Sequence, residues 1–184
     1  TLRATLDLLP PDAVVVVAEL LPAVVEWNRG PLGTLANHPL EDRRVTLVVG
    51  DVADTLKSSR QRFDAVLLDV DNGPDAFTAP ANDELYTTAG LAAIQTALTN
   101  GGVVGVWSAR DDRKFEQRLR YGGFDVEVVR VRARLKKGGP RHTIFLGRKL
   151  NAEDRPTSAN RVRPSGRRRR GACSPVRRSG RGTP

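Results

Sequence analysis

The chain has 184 residues, 39% of them hydrophobic, enough for one domain with a real core. Its formal charge of +9 sits almost wholly beyond Leu150, where ten arginines meet only two acids, Glu153 and Asp154; residues 1–150 are close to neutral. One cysteine, Cys173, excludes an internal disulfide and a cysteine-built metal cluster, and no apolar run of about 18 residues exists to cross a membrane.

Residues 1–9 predict a helix with Leu2, Leu6 and Leu9 on one side, ended by Pro10-Pro11-Asp12. Residues 13–18 (Ala-Val-Val-Val-Val-Ala) predict a strand, and residues 20–27 a helix with Pro22 tolerated in its first turn. Residues 28–42 carry Gly30, Pro31, Gly33 and Pro39 and read as a loop or broken helix. A second strand over residues 45–49 leads through Gly50-Asp51 into a short helix from Val52. A third covers residues 63–68, followed by the polar loop Asp69-Val70-Asp71-Asn72-Gly73-Pro74 and on to Pro80. A helix over residues 83–98 offers Leu85, Leu91, Ala92, Ile94 and Leu98 to a core, and Asn100-Gly101-Gly102 stops it. Residues 103–107 form a strand and residues 111–121 a helix, with Asp111 or Asp112 at its positive end. Residues 124–131 and 143–146 flank Lys136-Lys137-Gly138-Gly139-Pro140 as an antiparallel pair.

Strands alternating with helices predict an α/β fold with a doubly wound, mainly parallel sheet and a C-terminal antiparallel hairpin. Three carboxylates then stand out. Glu19, Asp51 and Asp69 each lie at the C-terminal end of a short apolar run, which reads as a strand buried on both faces. Ligands of open α/β sheets bind outside the carboxyl ends of the strands, so these acids line one crevice. Each could instead be an ordinary surface, turn or cap acid. Asp71 and Asn72 could simply form turn hydrogen bonds with Gly73. Tyr86 could reach a pocket from the start of its helix, or serve the core or its rim. Trp27 and Trp107 read as packing residues, and His142 as the start of a strand. Gly101-Gly102-Val103-Val104-Gly105 enters a strand rather than leaving one for a helix, so it is not a phosphate loop.

The segments Val17-Ala18-Glu19-Leu20-Leu21-Pro22-Ala23-Val24, Val49-Gly50-Asp51-Val52, Phe63-Asp64-Ala65-Val66-Leu67-Leu68-Asp69 and Gly101-Gly102-Val103-Val104 resemble the spermidine/spermine synthase family of aminopropyltransferases. The resemblance covers residues 1–150 and implies the Rossmann-like class I methyltransferase fold, whose hallmark is the terminal hairpin. It implies a transferase of polyamine biosynthesis that uses decarboxylated S-adenosylmethionine and no metal, acts on a small-molecule amine, and could form a homodimer. Glu19 would hold the ribose hydroxyls, since a carboxylate accepts two bonds from vicinal hydroxyls. Asp51, with the backbone of Val52, would meet the adenine. Asp69 would be the catalytic acid that orients and deprotonates the amine. Asp71, Asn72 and Tyr86 fall where the family binds its substrate.

The chain departs from the family in four ways. The first strand and glycine-rich loop are absent before Thr1, which suggests an N-terminal truncation and two unpaired inner sheet edges. The family's loop Asp-Ser-Ser/Thr-Asp-Pro reads Asp69-Val70-Asp71-Asn72-Gly73-Pro74 here. The family's glutamine at the end of the next strand is replaced around Trp107. The family's N-terminal β-rich domain has no counterpart. Two rivals therefore stand beside an aminopropyltransferase. One is a small-molecule methyltransferase using ordinary S-adenosylmethionine. The other is an inactive remnant whose tail binds nucleic acid.

Residues 151–184, rich in Arg, Pro, Ser and Gly, predict a disordered tail, because they offer too little apolar surface to offset ordering entropy. Arg167-Arg168-Arg169-Arg170 is the one element that would engage nucleic acid, through charge alone. The lone cysteine and the lack of an opening secretory signal suit a cytoplasmic protein.

Overall fold

The computed structural model describes residues 1–70, 73–74, 82–134 and 138–151. The element order is α1 (Leu2–Leu8), β1 (Val15–Glu19), α2 (Pro22–Arg29), β2 (Val45–Val49), α3 (Val52–Lys57), β3 (Phe63–Leu68), α4 (Thr88–Ala97), β4 (Leu98–Ser108), α5 (Arg113–Tyr121), β5 (Phe124–Arg134) and β6 (Gly138–Lys149). This is the predicted alternation, closed by an antiparallel β5–β6 hairpin. Short 3-10 turns at Gly33–Ala36 and Pro39–Glu41 fill the segment read as a broken helix.

The strands do not form one continuous sheet. Among the described residues, β1 pairs only with β2, in parallel, and a second sheet runs β3-β4-β6-β5. Within it β3 and β4 are parallel, while β6 is antiparallel to both β4 and β5. Among the described residues, the inner edges of β1 and β3 thus carry no strand partner.

Helix α1 spans the two pieces. At its start the Thr1 hydroxyl donates to Asp69 just past β3, at 2.8 Å. At its end Arg44, the residue before β2, donates through Nη1 to the carbonyls of Leu6, Leu9 and Pro10. The same guanidinium grips Asp42 through Nε and Nη2 at 2.9 and 2.8 Å, a bidentate fork. That side-chain bond, with a further one from the Arg44 backbone N–H, holds the Asp42 carboxyl well below the usual carboxylate range. Of the three leucines expected to face the core from α1, only Leu6 is buried.

The core lies on one face of the larger sheet. Val66 and Leu68 of β3, Val104 and Val106 of β4, Val126 of β5 and Phe145 of β6 meet Leu56, Leu91, Ile94, Phe115 and Leu119 from the helices. Burial along β3 alternates, and Leu67 is 56% exposed. The expectation of strands buried on both faces is therefore corrected. Helices α3, α4 and α5 cover one side, and no described element covers Leu67 on the other.

Two helix boundaries also differ from the sequence reading. The helix expected over residues 83–98 is a 3-10 turn, Asn82–Tyr86, followed by α4. Thr87 separates them: its hydroxyl donates to the Glu84 carbonyl at 2.7 Å and accepts from the Gly90 N–H as an N-cap. The stop expected at Asn100-Gly101-Gly102 falls earlier. Lys149 donates to the Gln95 and Leu98 carbonyls at 2.7 Å each and closes the helix at Ala97. The glycines lie instead in a bulge within β4, where the partner register jumps from Phe63↔Leu98 to Ala65↔Val103. Gly101 takes φ +75°, which favours glycine.

The depressed Asp42 carboxyl contributes stability that is fully present above the unfolded value of about 4 and is lost as pH falls below it. Arg44→Leu should flatten that acid limb of a thermal-stability profile. It should also speed proteolytic cleavage within residues 1–14 several-fold at neutral pH. An unchanged cleavage rate would show that α1 is anchored without Arg44.

Candidate functional site

Parallel pairing sets the places of the three acids. The register Glu19↔Val49 brings the ends of β1 and β2 level, and Gly50 N–H donates to the Glu19 carbonyl at 2.9 Å. Glu19 and Asp51 therefore share one edge. Asp69 follows Leu68 at the same kind of edge in the other sheet, across the span bridged by α1.

Each acid is held by one oxygen. Glu19 Oε1 accepts from the Leu21 N–H at 3.0 Å. Asp51 Oδ1 accepts from the Ala53 N–H at 2.8 Å and N-caps α3. Asp69 Oδ2 accepts from the Thr1 hydroxyl at 2.8 Å. The second oxygen of each makes no hydrogen bond among the described residues. Asp51 and Asp69 are exposed and Glu19 is half-buried. An ionised carboxylate has about four lone-pair sites, so each acid is fixed in direction and keeps acceptor capacity for a ligand.

The other expected residues fare differently. Val52 opens α3 directly after Asp51, half-buried against the core. Tyr86 is a buried residue of the core. It is 2% exposed, packs edge-on against Phe115 at 5.6 Å and donates its hydroxyl to the Val70 carbonyl at 3.4 Å. It braces the backbone one residue past Asp69, and Arg118 in turn donates to the Tyr86 carbonyl at 2.7 Å. Asp71 and Asn72 lie outside the described residues, as do residues 152–184 and every expectation placed on that tail.

Some contributors were not visible in the sequence. Thr1 as the partner of Asp69 needed the fold. So did Ser108, fully buried at the end of β4, which packs against Gly73. Gly73 has φ +87°, and a Cβ there would lie 2.7 Å from the Ser108 side chain. Gly73 is thus seated on the neighbouring strand end. Trp107, just before Ser108, meets the His142 ring at 5.0 Å.

Among the described residues, no group of three or more His, Cys, Asp or Glu is arranged to hold a metal ion. No described helix is long and apolar enough to cross a membrane.

Parallel strands alternating with helices and closed by an antiparallel hairpin make a Rossmann-like fold of the methyltransferase type. The profile of the spermine/spermidine synthase domain matches residues 10–117, a span that contains all three acids. The chain belongs to that family. Spermidine synthase from Thermotoga maritima is similar in structure, with a TM-score of 0.58 at 19% identity, over 74% of this chain and 45% of that one. A spermidine synthase in complex with the transition state analogue AdoDATO gives 0.56 at 18%, over 74% and 44%. Precorrin-6y C5,15-methyltransferase from Geobacter metallireducens gives 0.53 at 20%, over 80% and 76%. The chain thus spans less than half the length of the two synthases. No curated protein matches it in sequence.

Gly73→Ala forces a side chain into the Ser108 contact at a backbone angle that suits glycine. It should cost about 2 kcal/mol of unfolding free energy in urea titration. A loss below about 0.5 kcal/mol, the ordinary size of a surface change, would show that Gly73 is not seated on β4.

Proposed function

We propose that this domain binds a nucleoside sulfonium compound and transfers its aminopropyl group to an amine. The observation that carries this reading is the family match over residues 10–117, with an acid at the end of each of the first three strands inside it. The donor set suits such a ligand, because each acid has an acceptor oxygen with no hydrogen bond among the described residues, suited to hydroxyl, amino or ammonium hydrogens. Similarity to methyltransferases at 20% identity speaks for the fold and does not favour methyl transfer.

Glu19 holds the ribose through its second oxygen. Asp51 turns its second oxygen, beside the N–H of Val52, to the adenine edge. These two fix the nucleoside, and so the carbon attached to sulfur, in front of Asp69. In decarboxylated S-adenosylmethionine the positive sulfur supplies an electrophilic methylene and a good leaving group.

Asp69 acts on the acceptor. An amine is protonated at neutral pH and has no lone pair to give. Asp69 takes the proton and, with its direction fixed by Thr1, aims the nitrogen at the methylene. The C–N bond forms as the C–S bond breaks. The electron pair of that bond goes to sulfur, leaving neutral methylthioadenosine and an aminopropylated amine.

Asp69→Asn should lower turnover by about 10²-fold or more and leave nucleoside affinity nearly intact. Glu19→Ala should instead weaken nucleoside binding by about 1.5–3 kcal/mol, the worth of hydrogen bonds to a charged group. Steady-state kinetics of the full chain with decarboxylated S-adenosylmethionine and a panel of amines separates the two. Undiminished turnover in Asp69→Asn would remove the proposed base.

A further inference from the structure

The near-neutral total of residues 1–150 hides a division. Residues 1–109 carry seven basic and fourteen acidic residues, and residues 110–150 carry thirteen basic and five acidic ones. The first part holds Glu19, Asp51 and Asp69. The second is mainly α5 and the β5–β6 hairpin. The fold keeps the two apart, because the hairpin forms the outer edge of the larger sheet, in the order β3-β4-β6-β5. Such a division steers a polyanion to one end of a molecule and repels it from the other.

The cations gather at one end of that edge. Arg110 follows β4, and Arg113 and Lys114 open α5. Arg130 of β5 reaches Asp111 at 2.6 Å and ties the hairpin to this helix start. Side chains alternate along a strand, so Arg132 lies on the same face as Arg130, one step further out. Arg141 of β6 is its direct cross-strand partner. Arg110, Arg113, Lys114, Arg132 and Arg141 are exposed, and their side chains make no hydrogen bond or ion pair among the described residues. Two acids share the strip. Asp111 is bonded through Oδ2 to Arg130, and Asp112 through Oδ1 to the N–H groups of Lys114 and Phe115. Each keeps one oxygen unbonded among the described residues, and the six cations still outnumber them. Glu116, further along α5, is paired with Arg120.

The Arg132↔Arg141 pair gives the strip its direction. Like charges placed directly opposite on neighbouring strands destabilise a sheet. An anion lying across both removes that cost. Guanidinium groups grip phosphate oxygens through a two-pronged fork, and a two-stranded ribbon is narrow enough to lie in the major groove of a duplex. A membrane surface fits less well, because interfacial binding needs an apolar face. Among the described part of residues 110–150, Tyr121 at the other end of α5 is the one large apolar side chain that is exposed. We propose that the start of α5 and the outer part of the β5–β6 hairpin form a docking face for the phosphate backbone of duplex nucleic acid, independent of the arginines after Asn151.

The test is fluorescence anisotropy of a labelled, mixed-sequence DNA duplex of about 20 base pairs. It is titrated with the full chain in which the ten arginines after Asn151 are replaced by glutamine. Binding should persist at about 50 mM salt. The plot of log affinity against log salt should have a slope of about −3 to −4, from roughly four phosphates at about −0.9 each. In that background Arg132→Glu should weaken binding at least about fivefold and make the slope shallower by about 1. Its melting temperature should not fall, since the substitution turns a like-charge pair into an opposite one. Arg60→Glu makes the same change of net charge at an exposed position between α3 and β3, and should alter affinity less than about twofold. Loss of all binding in the glutamine background would overturn the proposal. So would equal effects of the two substitutions. Uptake by phosphatidylserine-rich vesicles without duplex binding would also overturn it, and would make a membrane surface the partner.

Discussion

A parallel strand can hold its neighbours only through backbone hydrogen bonds, and here that ladder is interrupted between β1 and β3. Each of these strands has a partner on one edge alone among the described residues. Everything at the site depends on what spans the interruption. Arg44 ties the end of α1 to the sheet that carries Glu19 and Asp51. Thr1 ties its start to Asp69. One short helix thus relates Glu19 and Asp51 to Asp69.

That arrangement also fixes the direction of acids at or near the surface. An exposed carboxylate ordinarily turns freely and offers no fixed lone pair. Here each acid has one oxygen held by a backbone N–H or a hydroxyl, and the other makes no hydrogen bond among the described residues. For Glu19 and Asp51 the division follows from position. The residue at a strand's carboxyl end is followed by a turn or helix start, whose first N–H groups lack helical partners. A carboxylate there meets a donor without leaving the crevice. Around Asp69 the support is deeper. Tyr86 bonds to the Val70 carbonyl, and Gly73 is pressed on Ser108.

Much of this was legible in the sequence. Short β-branched runs ending in Glu19, Asp51 and Asp69 gave the strand ends directly, and Gly-Asp before Val52 marked the cap of α3. The hairpin was readable from two apolar runs around a basic turn. What escaped depended on contacts distant in sequence. The apolar periodicity of residues 83–98 runs through Thr87 without a break, and only its two cap hydrogen bonds show why the helix starts again there. The glycines at 101 and 102 look like a turn until the strand opposite shows them to be a bulge. The run at residues 63–68 looks two-sided because it lacks polar residues after Asp64, yet the helices cover only one face. Trp107 and His142 are 35 positions apart, and only the register of β6 on β4 brings their rings together.

The central claim is that the ends of β1 and β2 form a nucleoside site. Calorimetric titration of the full chain with methylthioadenosine tests it most directly, because this ligand carries the adenine, ribose and sulfur without the transferred group. Asp51→Ser is the matched control, since serine still caps α3 while the carboxylate is gone. Saturable one-to-one binding that is strongly weakened by Asp51→Ser is the predicted result. Absence of binding by the folded chain, or binding indifferent to Asp51→Ser, would contradict the account.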